Sequence, residues 1–319
     1  MVIQPPEPSE GAGALRQAIL CTIVYGDLFD YPLDVLEIHR YLSHVAAPLE
    51  AVAEMLDSDP VLRELIDSTG PWYHLVGRAH LSEVRAERAL TSRALWDAAQ
   101  RFGAVIARLP FVRLAAVSGA LAVNNAPPGD DIDLFLLVAP RRLWLCRLLV
   151  LVVVRYAALR GVELCPNYLL STDRLPLHER NHFTAHEVAQ LVPLDGSPWY
   201  HAFLEANQWV RAFLPNALDP RDPLQSQLAQ SRRKSKPSLA RLGEAVLGMS
   251  FFDRLERWEM DRKIRRLTAR AAHEGGSVSF SADECQGHFA AHDQRVLSVF
   301  EERFAPYQDL LDGRAERTA

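Results

Sequence analysis

FVRLAAVSGALAVNNAPPGDDIDLFLLV, residues 111–138, is the stretch on which the reading of this chain turns. Residues 111–117 are an apolar run with strand character, ending at Ser118-Gly119. A loop rich in Asn, Pro and Gly leads to Asp131-Ile132-Asp133, which opens a second apolar run to Val138. Side chains alternate along a strand, so Asp131 and Asp133 share one face while Ile132 and Leu134 take the other. Two carboxylates at the mouth of a buried sheet repel each other and are costly to bury unpaired. A divalent cation resolves both problems, and hard oxygen ligands favour Mg²⁺ (or Mn²⁺) held by carboxylates and substrate phosphates. Gly119 suits the other half, since a glycine after a strand lets the backbone approach a phosphate closely. Ser118 adds a hydroxyl. The stretch reads as a pocket for Mg²⁺ and a nucleoside triphosphate. The alternative, in which Asp130 and Asp131 cap a turn and Asp133 is a satisfied polar residue, leaves an aspartate inside an apolar run unexplained.

The surrounding chain has ordinary globular composition. Its 319 residues are 49% hydrophobic and 24% charged, which excludes collagen-like, wholly disordered and multi-pass membrane classes. A net charge of −5 argues against a protein that coats nucleic acid or anionic lipid. Cys21, Cys146, Cys165 and Cys285 are scattered, without C-x-x-C spacing, which fits a reduced, cytoplasmic setting. Residues 1–13 read as a flexible tail rather than a signal peptide. The apolar run at 143–159 is interrupted by Arg147 and Arg155 and reads as a buried helix, with no membrane role.

Residues 14–80 read as three helices followed by a hairpin, whose strands at 62–66 and 72–76 flank Ser68-Thr69-Gly70-Pro71. That is the order of a winged-helix-like module. Its charge opposes DNA as a partner: residues 14–67 hold ten acids against three Arg. The third helix, the one placed to enter a groove, carries Glu50 and Glu54. A protein contact suits this acidic module better. Residues 81–102 read as a connecting helix, 103–175 as an α/β core with a mixed sheet, and 176–216 as a helical region. Residues 217–238 read as a Pro-punctuated linker and 239–319 as a helical carboxy-terminal region. In that last region a long Arg-rich helix covers about 239–273, followed by a short strand near 278–280 and a helix near 293–304.

Val117-Ser118-Gly119-Ala120 followed by Asp131-Ile132-Asp133 resembles the nucleotidyltransferase superfamily with the polymerase-beta-type fold. The same chain resembles an uncharacterised bacterial branch that joins an amino-terminal winged-helix-like module to this core. Residues 28–42 (LFDYPLDVLEIHRYL) and 142–147 (RLWLCR) share that look. The resemblance implies Mg²⁺-dependent transfer of a nucleoside monophosphate from an NTP, ATP being the first candidate. The acceptor is a hydroxyl on a small molecule, protein or RNA. Asp131 and Asp133 would hold the metal, Ser118 and Gly119 would cradle phosphates, and Arg142 or Arg147 would reach the triphosphate. The family commonly adds a third carboxylate on a later strand. Here that strand is 162–170, where Glu163, Cys165, Asn167 and Leu169 share a face, so Glu163 is the expected base. Ala120 departs from the family's Gly or Ser. The competing reading is a catalytically degenerate member acting as a binding or regulatory module.

Three further signals carry less. His178, His182 and His186 recur every four residues, reading as a solvated helix start before a metal site. Cys285, His288 and His292 have zinc-like spacing but need a fourth ligand such as Asp283. The mixed charges of residues 254–270 read as an ion-paired, solvated face.

Overall fold

Both apolar runs of the 111–138 stretch are strands in the computed structural model, which describes residues 11–218, 238–274, 280–286 and 289–311. They are β3 (Val112–Val117) and β4 (Ile132–Val138), and they pair antiparallel. Around them lies a mixed five-stranded sheet in the order β6-β3-β4-β5-β7, with β5 at Leu164–Ser171, β6 at Val192–Asp195 and β7 at Glu284–Gln286. β4 and β5 run parallel; the other pairs are antiparallel. A parallel pair needs a crossover. Here it is α7 (Leu143–Ala158), whose Trp144, Cys146, Val150 and Ala157 are buried on one face of the sheet.

The amino-terminal module comprises α1 (Gly11–Asp27), α2 (Val35–Arg40), α3 (Leu49–Ser58), α4 (Pro60–Leu65), and the hairpin β1 (Ile66–Thr69) and β2 (Trp72–Leu75). A bridge from Leu33 to Tyr73 adds a third extended segment. Residues 62–66, expected as a strand, are mostly the helix α4. Asp59 is the reason: its Oδ1 accepts from the Val61 and Leu62 amides at 3.0 Å each, and Pro60 occupies the first helical position. Residues 11–13 of the expected tail are likewise the first turn of α1; residues 1–10 lie outside the described residues.

The sheet's two faces serve two apolar clusters. Leu114, Ala116, Phe135, Leu137, Tyr168 and Leu170 pack with α1, the hairpin, α8 (His182–Gln190) and α9 (Ser197–Ala206). Val117, Ile132, Leu134, Leu136 and Leu169 pack with α5 (Leu81–Ala107) and α7. The amino-terminal module therefore shares its core with one face of the sheet.

The sheet also crosses the expected boundaries. β6 comes from the region read as helical, where a 3₁₀ segment (Gln208–Ala212) follows α9, and β7 comes from the carboxy-terminal region. The long Arg-rich helix is two, α10 (Ser238–Leu247) and α11 (Phe252–Glu274), separated at Gly248. Of the strand expected near 278–280, residues 278 and 279 lie outside the described residues, as does most of the 217–238 linker, and Phe280 is bridged to Cys285 of β7. α12 (Phe289–Leu311) closes the chain against α1 and α8. Among the described residues, no helix is long and apolar enough to cross a membrane.

Candidate active site

Gly119 turns the chain just after β3, with φ +65°, and faces the carboxylate of Asp133. A Cβ at this position would sit 2.6 Å from Asp133 Oδ2, so residue 119 needs both the conformational freedom and the missing side chain of glycine. The Ser118 amide donates to the Asp133 carbonyl at 3.1 Å, fixing the turn against β4. Asp131 and Asp133 project to one side, while Ile132 and Leu134 are buried in the cluster on the other.

Across the parallel ladder, Asp133 lies in register with Cys165. One ligand atom each from Asp131, Asp133 and Cys165 falls within 4.8 Å of the others. Burial pushes the Asp133 carboxyl up to about 7, with the charge of Asp131 adding and the Cys165 hydrogen bond opposing. The Cys165 thiol is pushed up to about 12 by burial and then by Asp133 and Asp131. It is a protonated donor to both carboxylates. The donor set thus consists of two carboxylates of hard oxygen character, and these fit Mg²⁺ or Mn²⁺ better than a thiolate-seeking metal.

The pair opens into a cavity of about 590 Å³ between the sheet and the amino-terminal module. Tyr25, Phe29, Tyr31 and Tyr41 supply an aromatic wall from the module, and Phe183 and His186 continue it from α8. Tyr25 stacks on His186 with ring centroids 4.3 Å apart. Four acids line the cavity: Asp130, Asp131, Asp133 and Glu187. Burial, then the charge of Asp133, raises Glu187 to about 8. The one cation among the described lining residues is Arg88 on α5, which donates to the Phe29 carbonyl at 2.9 Å and to Asn125 Oδ1 at 3.3 Å.

The other expected site residues lie elsewhere. Glu163 is exposed just before β5; its carbonyl accepts from the Ile132 amide at 2.9 Å, and its side chain does not line the cavity. An extra residue in β5 opposite Asp133–Phe135 breaks the strict alternation. Cys165 and Asn167 both reach the cavity, as alternation expects, but beyond the irregularity Leu169 is fully buried on the opposite face. Arg142 and Arg147 follow the crossover to the far side of the sheet. Arg142 donates to the carbonyls of Leu247 and Gly248 and pairs with Asp253 at 2.7 Å. Arg147 lies near Cys285 and Lys263. Ser118 lines a second, smaller cavity; only the Gly119 end of the turn lines the first.

The solvated setting expected for the three histidines holds for His178, which is exposed, and is overturned for the other two. His182 and His186 are buried among Tyr25, Tyr41 and Phe300, and burial holds His182 down at about 3. His288 and the side chain of His292 lie outside the described residues.

Set against protein-family models, curated proteins and solved structures, the chain matches none. The case for a function therefore rests on this geometry. Arg88 and Glu187 are its two unforeseen members. Glu187 had a legible signal, being the one acid in the otherwise weakly polar helix HFTAHEVAQ. Arg88 had none, because it sits in an evenly charged helix where every arginine looks alike.

Proposed function

We propose that this chain is a nucleotidyltransferase, taking a nucleoside monophosphate from an NTP and passing it to a hydroxyl acceptor with release of pyrophosphate. The observation that carries the reading is the fit of Gly119 against Asp133, which brings backbone and two carboxylates together at the mouth of one cavity. A phosphate seated at Gly119 would touch the same metal held by Asp131 and Asp133. That metal, when bound, would neutralise triphosphate charge and polarise the reacting phosphorus. Arg88 adds a fixed cation, and the wall of Tyr25, Tyr41 and Phe183 offers faces for a nucleobase. Glu187 takes the place sought for Glu163: its ionised form, favoured on the alkaline side of neutrality because burial holds the group up to about 8, accepts the acceptor's proton.

On this reading the core is of the polymerase-beta type. The amino-terminal module is winged-helix-like, closing the nucleotide cavity and offering an acidic face to a protein partner. The free cysteines fit a cytoplasmic setting. A second reading, a degenerate member acting as a nucleotide-binding module, is favoured by one observation: Glu163 stands outside the cavity.

Thermal unfolding with each NTP, with and without Mg²⁺, tests the site. Ligand at about 100 times its dissociation constant stabilises the native state by about 2.7 kcal/mol. The expected result is stabilisation that needs nucleotide and Mg²⁺ together and disappears in Asp131→Asn/Asp133→Asn. No shift with any nucleotide overturns the proposal. Nucleotide binding without pyrophosphate release from any hydroxyl compound would favour the degenerate reading.

A further inference from the structure

Behind Glu187 lies the second cavity, about 230 Å³ in volume, between the sheet and α8. Its floor is apolar, from Phe135 and Phe203. Its polar lining is rich in carboxyls, from Glu179, Glu187 and Glu284, beside the His178 imidazole; neither Lys nor Arg is among the described lining residues. The Tyr168 hydroxyl donates to Glu284. Independently of these acids, Ser118 is only 3% exposed, and its Oγ has no hydrogen-bond partner among the described residues. A buried hydroxyl left unsatisfied costs about 1–3 kcal/mol, and Ser118 is one of the residues that line the cavity. Glu187 also lines the cavity that holds Asp131 and Asp133, so it is the wall common to both.

We propose that this second cavity is the acceptor site, and that the acceptor is a small hydroxyl compound carrying an amine. The assignment rests on the nucleotidyl-transfer reading. Carboxyls line the cavity with no Lys or Arg among the described lining residues to offset them, which disfavours phosphorylated acceptors and nucleic acid. A protonated amine matches the charge at Glu179 and Glu284. The volume is below that of a pocket for a drug-sized ligand, which limits the occupant to a single ring or short chain over the apolar floor. Ser118 Oγ completes its hydrogen bonding on an acceptor oxygen. The hydroxyl that faces Glu187 gives its proton to the ionised form of that carboxyl as its oxygen attacks the α-phosphorus; with Glu187 held up to about 8, the step gains on the alkaline side of neutrality. A phosphorus–oxygen bond forms, the bond bridging the α- and β-phosphates breaks, and the electron pair leaves on pyrophosphate.

The test is calorimetric titration with glucosamine and ethanolamine, each against its neutral counterpart, glucose and ethylene glycol. Thermal shift with ATP and Mg²⁺ is recorded on the same preparation. The amines are expected to bind at least tenfold more tightly than the neutral compounds, and Glu179→Gln, at an exposed position, to reduce that preference. If the ATP–Mg²⁺ shift is present but amine and neutral compounds bind equally or not at all, the inference is overturned while the nucleotidyltransferase reading stands. If the wild-type chain shows no ATP–Mg²⁺ shift, the reading beneath it falls and the acceptor assignment falls with it.

Discussion

Adding one methyl group at residue 119 would bring it to 2.6 Å from a carboxylate oxygen, on a backbone with φ +65°. Gly119→Ala is therefore expected to cost about 1–3 kcal/mol in strain and to push Asp133 out of line. Urea unfolding should register the first effect and loss of Mn²⁺ binding by electron paramagnetic resonance the second. A variant that keeps wild-type metal affinity would show that the close approach is packing alone. Asp59 gives a second test. Burial would raise its carboxyl, but bonds from Arg16 and the Leu62 and Val61 amides win and hold it below the usual range. Its folded pKa is thus lower than its unfolded one, so it adds stability above pH 3.8, and that contribution is lost as pH falls through the folded value. Asp59→Ala is expected to cost about 1–2 kcal/mol at pH 7. The gap from wild type should narrow in urea melts below about pH 4.

At the scale of elements, what was legible depended on periodicity. β3, β4 and the pairing of Asp131 with Asp133 follow from alternation, and the structure places them so. Alternation failed in β5, where Pro166 falls in the segment with the extra residue. Proline lacks the amide a ladder needs, so it belongs at such irregularities. That irregularity sends Tyr168 to the same side as Phe135, against the second cavity. Cross-chain capping was equally illegible. Glu256 of α11 accepts from the Trp144 amide at 2.8 Å and the Leu145 amide at 2.7 Å, capping α7 from more than a hundred residues away. Glu256→Ala is expected to lower stability by about 1–2 kcal/mol. It should speed amide exchange in the first turn of α7 before exchange elsewhere rises.

For the whole molecule, the shared cluster joining the amino-terminal module to the sheet predicts one cooperative transition rather than two. Tryptophan fluorescence and far-ultraviolet circular dichroism should give coincident urea curves; separated midpoints would show that the module unfolds alone. The acidic balance makes its own prediction. Glu50, Glu54 and Asp57 are exposed on or beside the outer face of α3, so duplex DNA should bind no more tightly than about 10⁻⁴ M at physiological salt, the weak end of non-specific binding. A salt-dependent gel shift at micromolar protein would contradict it.

Asp27, at the end of α1, accepts from Arg78 at 2.8 Å and, 276 residues further on, from Arg303 at 2.7 Å. A ribosome adding roughly 5–20 residues per second makes those partners about 14–55 s apart, given the same 276-residue separation. α1 is thus made well before α12 can seal it. Until α12 arrives, Ile19, Leu20, Ile23 and Val24 lack part of their final cover. The newborn chain is expected to bind holding chaperones during that interval, which crosslinking of stalled nascent chains would detect. Slowing translation after residue 218 should lengthen the association, and speeding it should shorten it.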